Sequence, residues 1–354
     1  MTTVATIRTA VVGLGWAGRA IWLPRLLGHP RYQVVAAVEP HSGVREAAAA
    51  EFPGVPVVSS VDELPPVDLA IVAVPNHLHA TVACGLLARG LAVFVEKPVC
   101  LTSAEADRLA AAERGGGVLL AGSAARYRGD VGALYALAAT LGPLRHLEAE
   151  WVRAQGVPGA GGWFTDRSRS GGGALVDLGW HLLDTVGPLL GPAVIEQAAA
   201  SFSGDFIAAK SAEAGWRGDA AANGTIDVED TARGFLVTDT GVSVALRASW
   251  ASHETYDSTR IRVSGGAGEA LLTCTFGFSP NRAGGSALTV TRHGRTEPVE
   301  LPADAVGAEY DRQLDDIPVL LADPAIRGRA VEQAAATIAL IERLYASART
   351  PQPA

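Results

Sequence analysis

Residues 6–18 read TIRTAVVGLGWAG, and the order of their parts decides the fold. The run Thr6-Ile7-Arg8-Thr9-Ala10-Val11-Val12 is short, apolar and β-branched, the signature of a buried strand, and it ends at a cluster of glycines. Trp16 to Leu27 then has helical character and is closed by Gly28 and Pro30, and Gln33 to Val38 forms a second apolar run, so the unit reads β-α-β. The rhythm continues with a helix over Gly43 to Glu51, a strand at Val55 to Val58, the run Asp68 to Val74 stopped by Pro75, and helix His79 to Arg89. Strand Ala92 to Glu96, helix Ser103 to Arg114 with Thr102 or Ser103 as its N-cap, and strand Val118 to Ala121 complete it. Strands alternating with helices of this length predict a parallel sheet covered by helices on both faces.

Beyond about Gly122 the texture changes. Arg145 to Arg153, Thr231 to Thr238, Val242 to Ala251, Thr259 to Ser264, Ala270 to Thr275 and Leu288 to Arg292 read as strands of alternating polarity, which predicts an antiparallel sheet with one face covered. Helices are expected at Val131 to Leu141, Ala174 to Leu190 and Ala330 to Ser347. The fold class is therefore an α/β dinucleotide-binding domain over 1–123, followed by an α+β domain over 124–348 with a large, mainly antiparallel open sheet. Residues 349–354 form an expected disordered tail.

Composition bounds the function. At 354 residues the chain exceeds one typical core, and a net charge of −8 offers no general excess of cations for a phosphate backbone, which argues against a nucleic-acid binder. Cys84, Cys100 and Cys274 are too few and too far apart for a disulfide framework or a Cys-x-x-Cys metal knuckle. There is no uninterrupted apolar run near the ~20 residues of a membrane span, and the opening MTTVATIRTA lacks a basic region followed by a long apolar one. A cytoplasmic protein that meets no membrane is the expectation. Lys97 and Lys210 are the only lysines among 29 basic residues, the rest being arginine.

Four motifs carry chemistry. In GLGWAG, at a strand-to-helix junction, Gly13 permits a sharp turn, Gly15 lets a pyrophosphate approach the backbone, and Gly18 allows close helix–strand packing, with the helix N-terminus facing the phosphates. The second strand then leads to Glu39, where an acid is expected to hold the adenosine ribose hydroxyls; the alternative is an ordinary strand-end carboxylate. The extra phosphate of NADP would meet a like charge at Glu39, so NAD is the expected cofactor, NADP being possible through Arg45 with His41. VPNHLH, residues 74–79, puts Asn76 in reach of a ribose or carboxamide and His79 where it would cap the next helix, although His77 and His79 are more often turn-satisfying residues than ligands; no metal is expected there. In Glu96-Lys97-Pro98, the proline restrains the lysine at a strand end, and Glu96 is a candidate to orient its ammonium. Finally GGGALVDLGWH, residues 171–181, leads a glycine run into a helix on which Asp177, His181 and Asp184 share a face, a proton-transfer arrangement whose alternative is a satisfied buried histidine.

In this order the four motifs, with the later run Asp227 to Ala232, resemble the oxidoreductase family named after glucose-fructose oxidoreductase, inositol dehydrogenase and the rhizopine catabolism protein (Gfo/Idh/MocA), over nearly the whole chain. The resemblance implies a Rossmann domain, a C-terminal domain that often forms subunit contacts, and hydride transfer at a carbon bearing oxygen on sugars, cyclitols or related polyols. Carried over, the cofactor-binding set is Gly13, Gly15, Trp16, Ala17, Gly18, Glu39, Pro75, Asn76, His79, Glu96 and Lys97. Lys97 would handle a proton, His181 would be the acid/base, and Asp177 its partner or a ligand of a substrate hydroxyl. Arg126 and Tyr127 would face substrate, while Trp163 with Phe164 would wall the pocket or belong to the core. A homodimer or homotetramer is implied. Two other readings share the fold: a glycosidase using NAD for transient oxidation, and a non-catalytic NAD-binding sensor or regulator.

Overall fold

The computed structural model describes residues 6–159, 161–214 and 224–348. The expected disordered tail, 349–354, lies outside them. The chain forms two compact units, Met1–Gly122 with Tyr310–Ala335, and Ser123–Glu309 with Ala336–Ala354.

The first unit is built on six parallel strands: β1 (Ile7–Val12), β2 (Tyr32–Val38), β3 (Val57–Val58), β4 (Leu69–Val72), β5 (Ala92–Val95) and β6 (Val118–Ala121). Their spatial order is β3-β2-β1-β4-β5-β6. The chain therefore builds outward from β1 on one side and crosses to the other at β4, leaving a switch point between β1 and β4, where ligands of such sheets bind. Register fixes what stands there. Val12 pairs with Val38 and Val72, and Val72 pairs with Val95, so the segments that follow, beginning at Gly13, Glu39, Ala73 and Glu96, leave the sheet at one edge.

The core of this unit is apolar and tightly filled. Trp22 is fully buried, with its ring centroid 4.8 Å from Phe94 and 5.6 Å from Tyr310. Leu314, Ile317 and Ile326 belong to the same core, and the Tyr32 hydroxyl donates to the Leu314 carbonyl at 2.6 Å. Residues 310–335, assigned on sequence to the second domain, thus pack with the parallel sheet. Apolar burial of this kind outweighs chain order, since each buried Leu or Ile contributes about 1.5–3 kcal/mol.

The second unit holds an eight-stranded sheet: β7 (Leu144–Val152), β8 (Ile195–Ser203), β9 (Thr231–Thr238), β10 (Ser243–Ser249), β11 (Ser258–Gly265), β12 (Gly268–Cys274), β13 (Ala287–Arg292) and β14 (Arg295–Val299). The order is β14-β13-β12-β11-β7-β10-β9-β8. All neighbours are antiparallel except β7 and β10, which run parallel, so the sheet is mixed. Leu147, Ala149, Val244, Leu246, Ile261 and Val263 are buried on one face, against which helix Trp180–Leu190 packs. The other face carries ion pairs, Arg262 with Glu148 at 3.1 Å and with Glu269, and Arg247 with Glu254 at 3.2 Å. Surface pairs such as these contribute little singly, so the buried face supplies most of the stability. Among the described residues, no helix is long and apolar enough to cross a membrane.

Candidate active site

In the first unit the three glycines of the β1 turn each meet a distinct steric demand. Gly13 has φ +97°, and a Cβ there would stand 2.6 Å from the Ala73 carbonyl oxygen. At Gly18 a Cβ would fall 2.0 Å from the Gly13 carbonyl oxygen, so any side chain would push the helix off the turn. Gly15 has nothing within 4 Å of its Cβ position, which leaves open space above the backbone where a pyrophosphate would approach. The following helix begins with a π-wound stretch, Ala17–Trp22, and continues as Leu23–Gly28; Trp16 at its head is 54% exposed. The residues present therefore fit a dinucleotide: a glycine cradle, open backbone and a helix N-terminus.

Glu39 is buried at the end of β2, its carboxylate accepting from the backbone N–H of Leu14 at 3.1 Å and of His41 at 3.0 Å. Arg45, the residue that would have to receive a 2′-phosphate, gives its guanidinium to the carbonyls of Glu39 and Pro40 at 3.0 and 2.6 Å. A carboxylate fixed from two sides cannot swing away from a phosphate. The dissociation constant for NADP is therefore expected to be about tenfold or more above that for NAD, narrowing in Glu39→Ala; tighter binding of NADP by the wild type would contradict the assignment.

Past β4, Pro75 leads into the turn Asn76–Leu78, where Asn76 is buried. His79 differs from expectation. It makes no side-chain cap on the helix it opens (His79–Ala88); the ring is buried, with Nδ1 2.7 Å from the Pro98 carbonyl oxygen and Nε2 2.8 Å from that of Val74. Both nitrogens are occupied by protein, so the ring ties two loops instead of reaching a cofactor. Past β5, the Glu96 carboxylate accepts from Trp22 Nε1 at 2.8 Å and from the Lys97 backbone N–H at 3.0 Å. Burial raises the Glu96 pKa, opposed by the Lys97 charge and the Trp22 bond. Glu96 thus grips the lysine through its backbone and anchors that grip in the core. Lys97 itself is half-buried, and the Lys97–Pro98 peptide bond is cis.

In the second unit the glycine run 171–173 is shaped by two residues that the sequence reading gave no role. A Cβ on Gly173 would stand 1.8 Å from the Glu229 carbonyl oxygen, and one on Gly172 would stand 2.0 Å from the Tyr345 hydroxyl. The buried Glu229 carboxylate accepts from Gly173 N at 3.1 Å, Leu175 N at 2.9 Å and the Tyr345 hydroxyl at 2.8 Å, so it holds the start of the helix that bears Asp177 and His181. The run Asp227 to Ala232 was the only sequence signal for it.

Burial raises the Glu229 pKa against these donors. The folded state therefore gains from its proton, fully below the unfolded carboxyl value of about 4.3 and less as pH rises through the folded one. Glu229→Gln keeps an acceptor without the charge, and its melting temperature is expected to gain on the wild type as pH rises from about 4.5 to 8. Glu229→Ala leaves three donors unpaired at about 1–3 kcal/mol each and should melt several degrees lower. Parallel melting curves of wild type and Gln variant across that range would contradict the assignment.

The helix starts as a π-wound segment, Leu175–Gly179, and continues as Trp180–Leu190. Such widened turns recur at functional sites. Asp177 is buried and accepts from Trp250 Nε1 at 2.9 Å. His181 is half-buried, its ring 5.3 Å from that of Trp151, over which the Arg153 guanidinium lies at 5.1 Å. Asp184, expected to flank His181, instead accepts from Arg126 Nη2 at 2.6 Å, while Arg126 Nε donates to the Asp184 carbonyl at 2.9 Å. Arg126, expected to face substrate, is thereby held as the counter-ion of a buried carboxylate. Burial raises the Asp184 pKa, with the Arg126 charge and a Ser123 hydrogen bond opposing. Tyr127 is half-buried beside it in sequence. Trp163 and Phe164, both half-buried, stack on each other at 3.9 Å between centroids. Among the described residues, no group of three or more His, Cys, Asp and Glu side chains is placed to hold a metal ion.

The chain is similar to known proteins over both units. Residues 7–122 match the family described as "Oxidoreductase family, NAD-binding Rossmann fold", and residues 137–271 match the "GFO/IDH/MocA C-terminal domain". A protein of Amycolatopsis mediterranei named "Putative UDP-kanosamine synthase oxidoreductase subunit" is 57% identical over 97% of this chain and 96% of its own length. The dTDP-3,4-didehydro-2,6-dideoxy-alpha-D-glucose 3-reductase of Streptomyces antibioticus is 30% identical over 52% of this chain and 57% of its own. Among solved structures, GenD2 from gentamicin A biosynthesis, in complex with NAD, aligns with a TM-score of 0.75 at 24% identity, covering 98% of this chain and 95% of that one.

Proposed function

The chain belongs to the Gfo/Idh/MocA oxidoreductase family and is an NAD(P)-dependent oxidoreductase of the sugar-related kind, and from that premise we propose that it oxidises a ring hydroxyl of a nucleotide-linked hexose, at C3 of a UDP-hexose. The observation that carries this reading is the 57% identity, over almost the whole of both chains, with the protein named for UDP-kanosamine synthesis. Kanosamine is 3-amino-3-deoxyglucose, so an oxidoreductase in its synthesis has C3 as the carbon to convert from alcohol to ketone before an amine is installed.

Gly13, Gly15 and Gly18 with the following helix would hold the dinucleotide phosphates, and Glu39 the adenosine ribose. When bound, the nicotinamide supplies the hydride acceptor, or in the reverse direction the donor. The protein's own groups manage the proton and the charge. Neutral His181 takes the hydroxyl proton, and the Lys97 ammonium stabilises charge developing on substrate oxygen. In reduction His181 returns the proton. Asp177, fixed by Trp250, serves as a partner of His181 or a ligand of a neighbouring hydroxyl.

The test is a panel of UDP-hexoses, free aldoses, inositols and an aryl glycoside, with each nicotinamide cofactor, scored for ketone and reduced cofactor. Conversion of UDP-hexose at C3 supports the proposal. Release of the aryl group without net reduction of cofactor would establish the transient-oxidation glycosidase, and binding of NAD with no turnover on any member would establish the sensor. A self-associating chain is proposed as well, through the ion-paired face of the eight-stranded sheet. Light scattering at micromolar concentration is expected to return a multiple of 36.5 kDa, and a monomer mass would contradict it.

A further inference from the structure

Lys97 sits on a short turn gripped from its N-terminal side, where Glu96 holds the lysine backbone N–H and is itself held by the buried Trp22. The C-terminal side is gripped as well. Pro98, Val99 and Cys100 are buried, and the Pro98 carbonyl oxygen meets Nδ1 of His79 at 2.7 Å. The same ring puts Nε2 2.8 Å from the Val74 carbonyl oxygen, so one imidazole spans the loop after β4 and the loop after β5. A neutral ring has a single N–H to give, and burial, with Lys97 and His77 adding like charge, holds the His79 pKa down against the two carbonyls. The single hydrogen is worth most where its loss leaves a buried oxygen unpaired. That is Pro98, whose contact is buried, whereas the Val74 contact is only partly so.

We propose that His79 is a positioning residue for Lys97: its Nδ1–H, given to the Pro98 carbonyl, fixes the turn from which the ammonium is presented to the substrate oxygen. This rests on the proposed role of Lys97 above. The two ends of the turn are then held by different elements, Glu96 through the core and His79 through the helix after β4, so movement in either displaces the ammonium.

Two substitutions separate the ring's two nitrogens. Asparagine places an amide donor near Nδ1 and glutamine places one near Nε2, so His79→Asn preserves the bond to Pro98, whereas His79→Gln moves the donor to Val74. With only Lys97 and Lys210 in the chain, protein carrying ¹³C-lysine gives two ε-methylene signals, and Lys210, exposed in the second unit, is the internal reference. In the NAD-loaded protein, His79→Gln and His79→Phe are expected to shift the Lys97 signal and lower kcat about 10–100-fold, with little change in KM or NAD affinity, as for a reacting group displaced by about an ångström. His79→Asn is expected to restore the Lys97 signal and recover about tenfold of that loss. The proposal is overturned if the Lys97 signal stays unmoved in the Gln variant, or if Asn and Gln variants behave alike in both readouts. Melting temperatures check the fold of each variant, and the Asn–Gln pair decides even if the Phe variant fails to fold. Full turnover in Lys97→Ala would overturn the role of the lysine, and the NMR comparison would still report whether His79 places it.

Discussion

Lys97→Ala is expected to lower kcat on a confirmed substrate about 10²–10³-fold, the usual cost of removing one charge-stabilising donor from developing oxygen charge. The dissociation constant of NAD should stay within about threefold, because the steric features that admit the phosphates belong to Gly13, Gly15 and Gly18. The size of the effect follows from preorganisation: the lysine turn is tied on one side through Glu96 to Trp22 and on the other through Pro98 to His79. No water molecule inherits those tethers. Stopped-flow turnover and equilibrium NAD titration on the same variant separate the two quantities. Near wild-type turnover with NAD bound would sink the assignment and move the charge-stabilising role to another group.

His181→Ala should cost about 10²–10⁴-fold in kcat, the range for loss of a general base. The loss should come with a changed shape of the pH–rate profile: in the oxidation direction the limb on the acidic side disappears, since no imidazole remains to be protonated there. The ring is half-buried and packs beside Trp151, on a helix whose first turn is anchored by Glu229 and whose Asp177 is held by Trp250. Measuring kcat from about pH 5.5 to 9 checks it. A variant that retains the acidic limb would move the base function to another group.

Legibility in the sequence followed the range of the interactions. The strands and helices of residues 7–121 stand where the βα rhythm puts them, because each is announced locally by an apolar run, a cap or a glycine; Thr102, for instance, accepts from the Glu105 N–H at the start of Ser103–Arg114. Other elements escaped for local reasons as well. Helix Ala308–Ala322 contains Pro318, which reads as a breaker, and β14 contains Pro298. Strand β8 is IEQAAASFS, whose alanines carry little β signal. The parallel pairing of β7 with β10 is a matter of topology that alternation does not encode.

Within the site, the glycines announced themselves by spacing, but the side-chain partners did not. Trp250 meets Asp177 across 73 positions, and Arg126 meets Asp184 across 58. Helical periodicity placed Asp184 beside His181 and was silent on the arginine that claims it. His79 was similarly read from its neighbours in sequence, whereas its ring is committed to Pro98, nineteen positions on.

The most direct measurement of the central claim follows the hydrogen. UDP-glucose carrying deuterium at C3 is incubated with the protein and NAD, and the nicotinamide and the nucleotide sugar are analysed by mass spectrometry, which registers transfer even where the equilibrium opposes net ketone. Deuterium is expected on the nicotinamide ring, with the UDP–sugar bond intact and no transfer from substrate labelled at C2 or C4. Bound NAD that acquires no deuterium from C3 would contradict it.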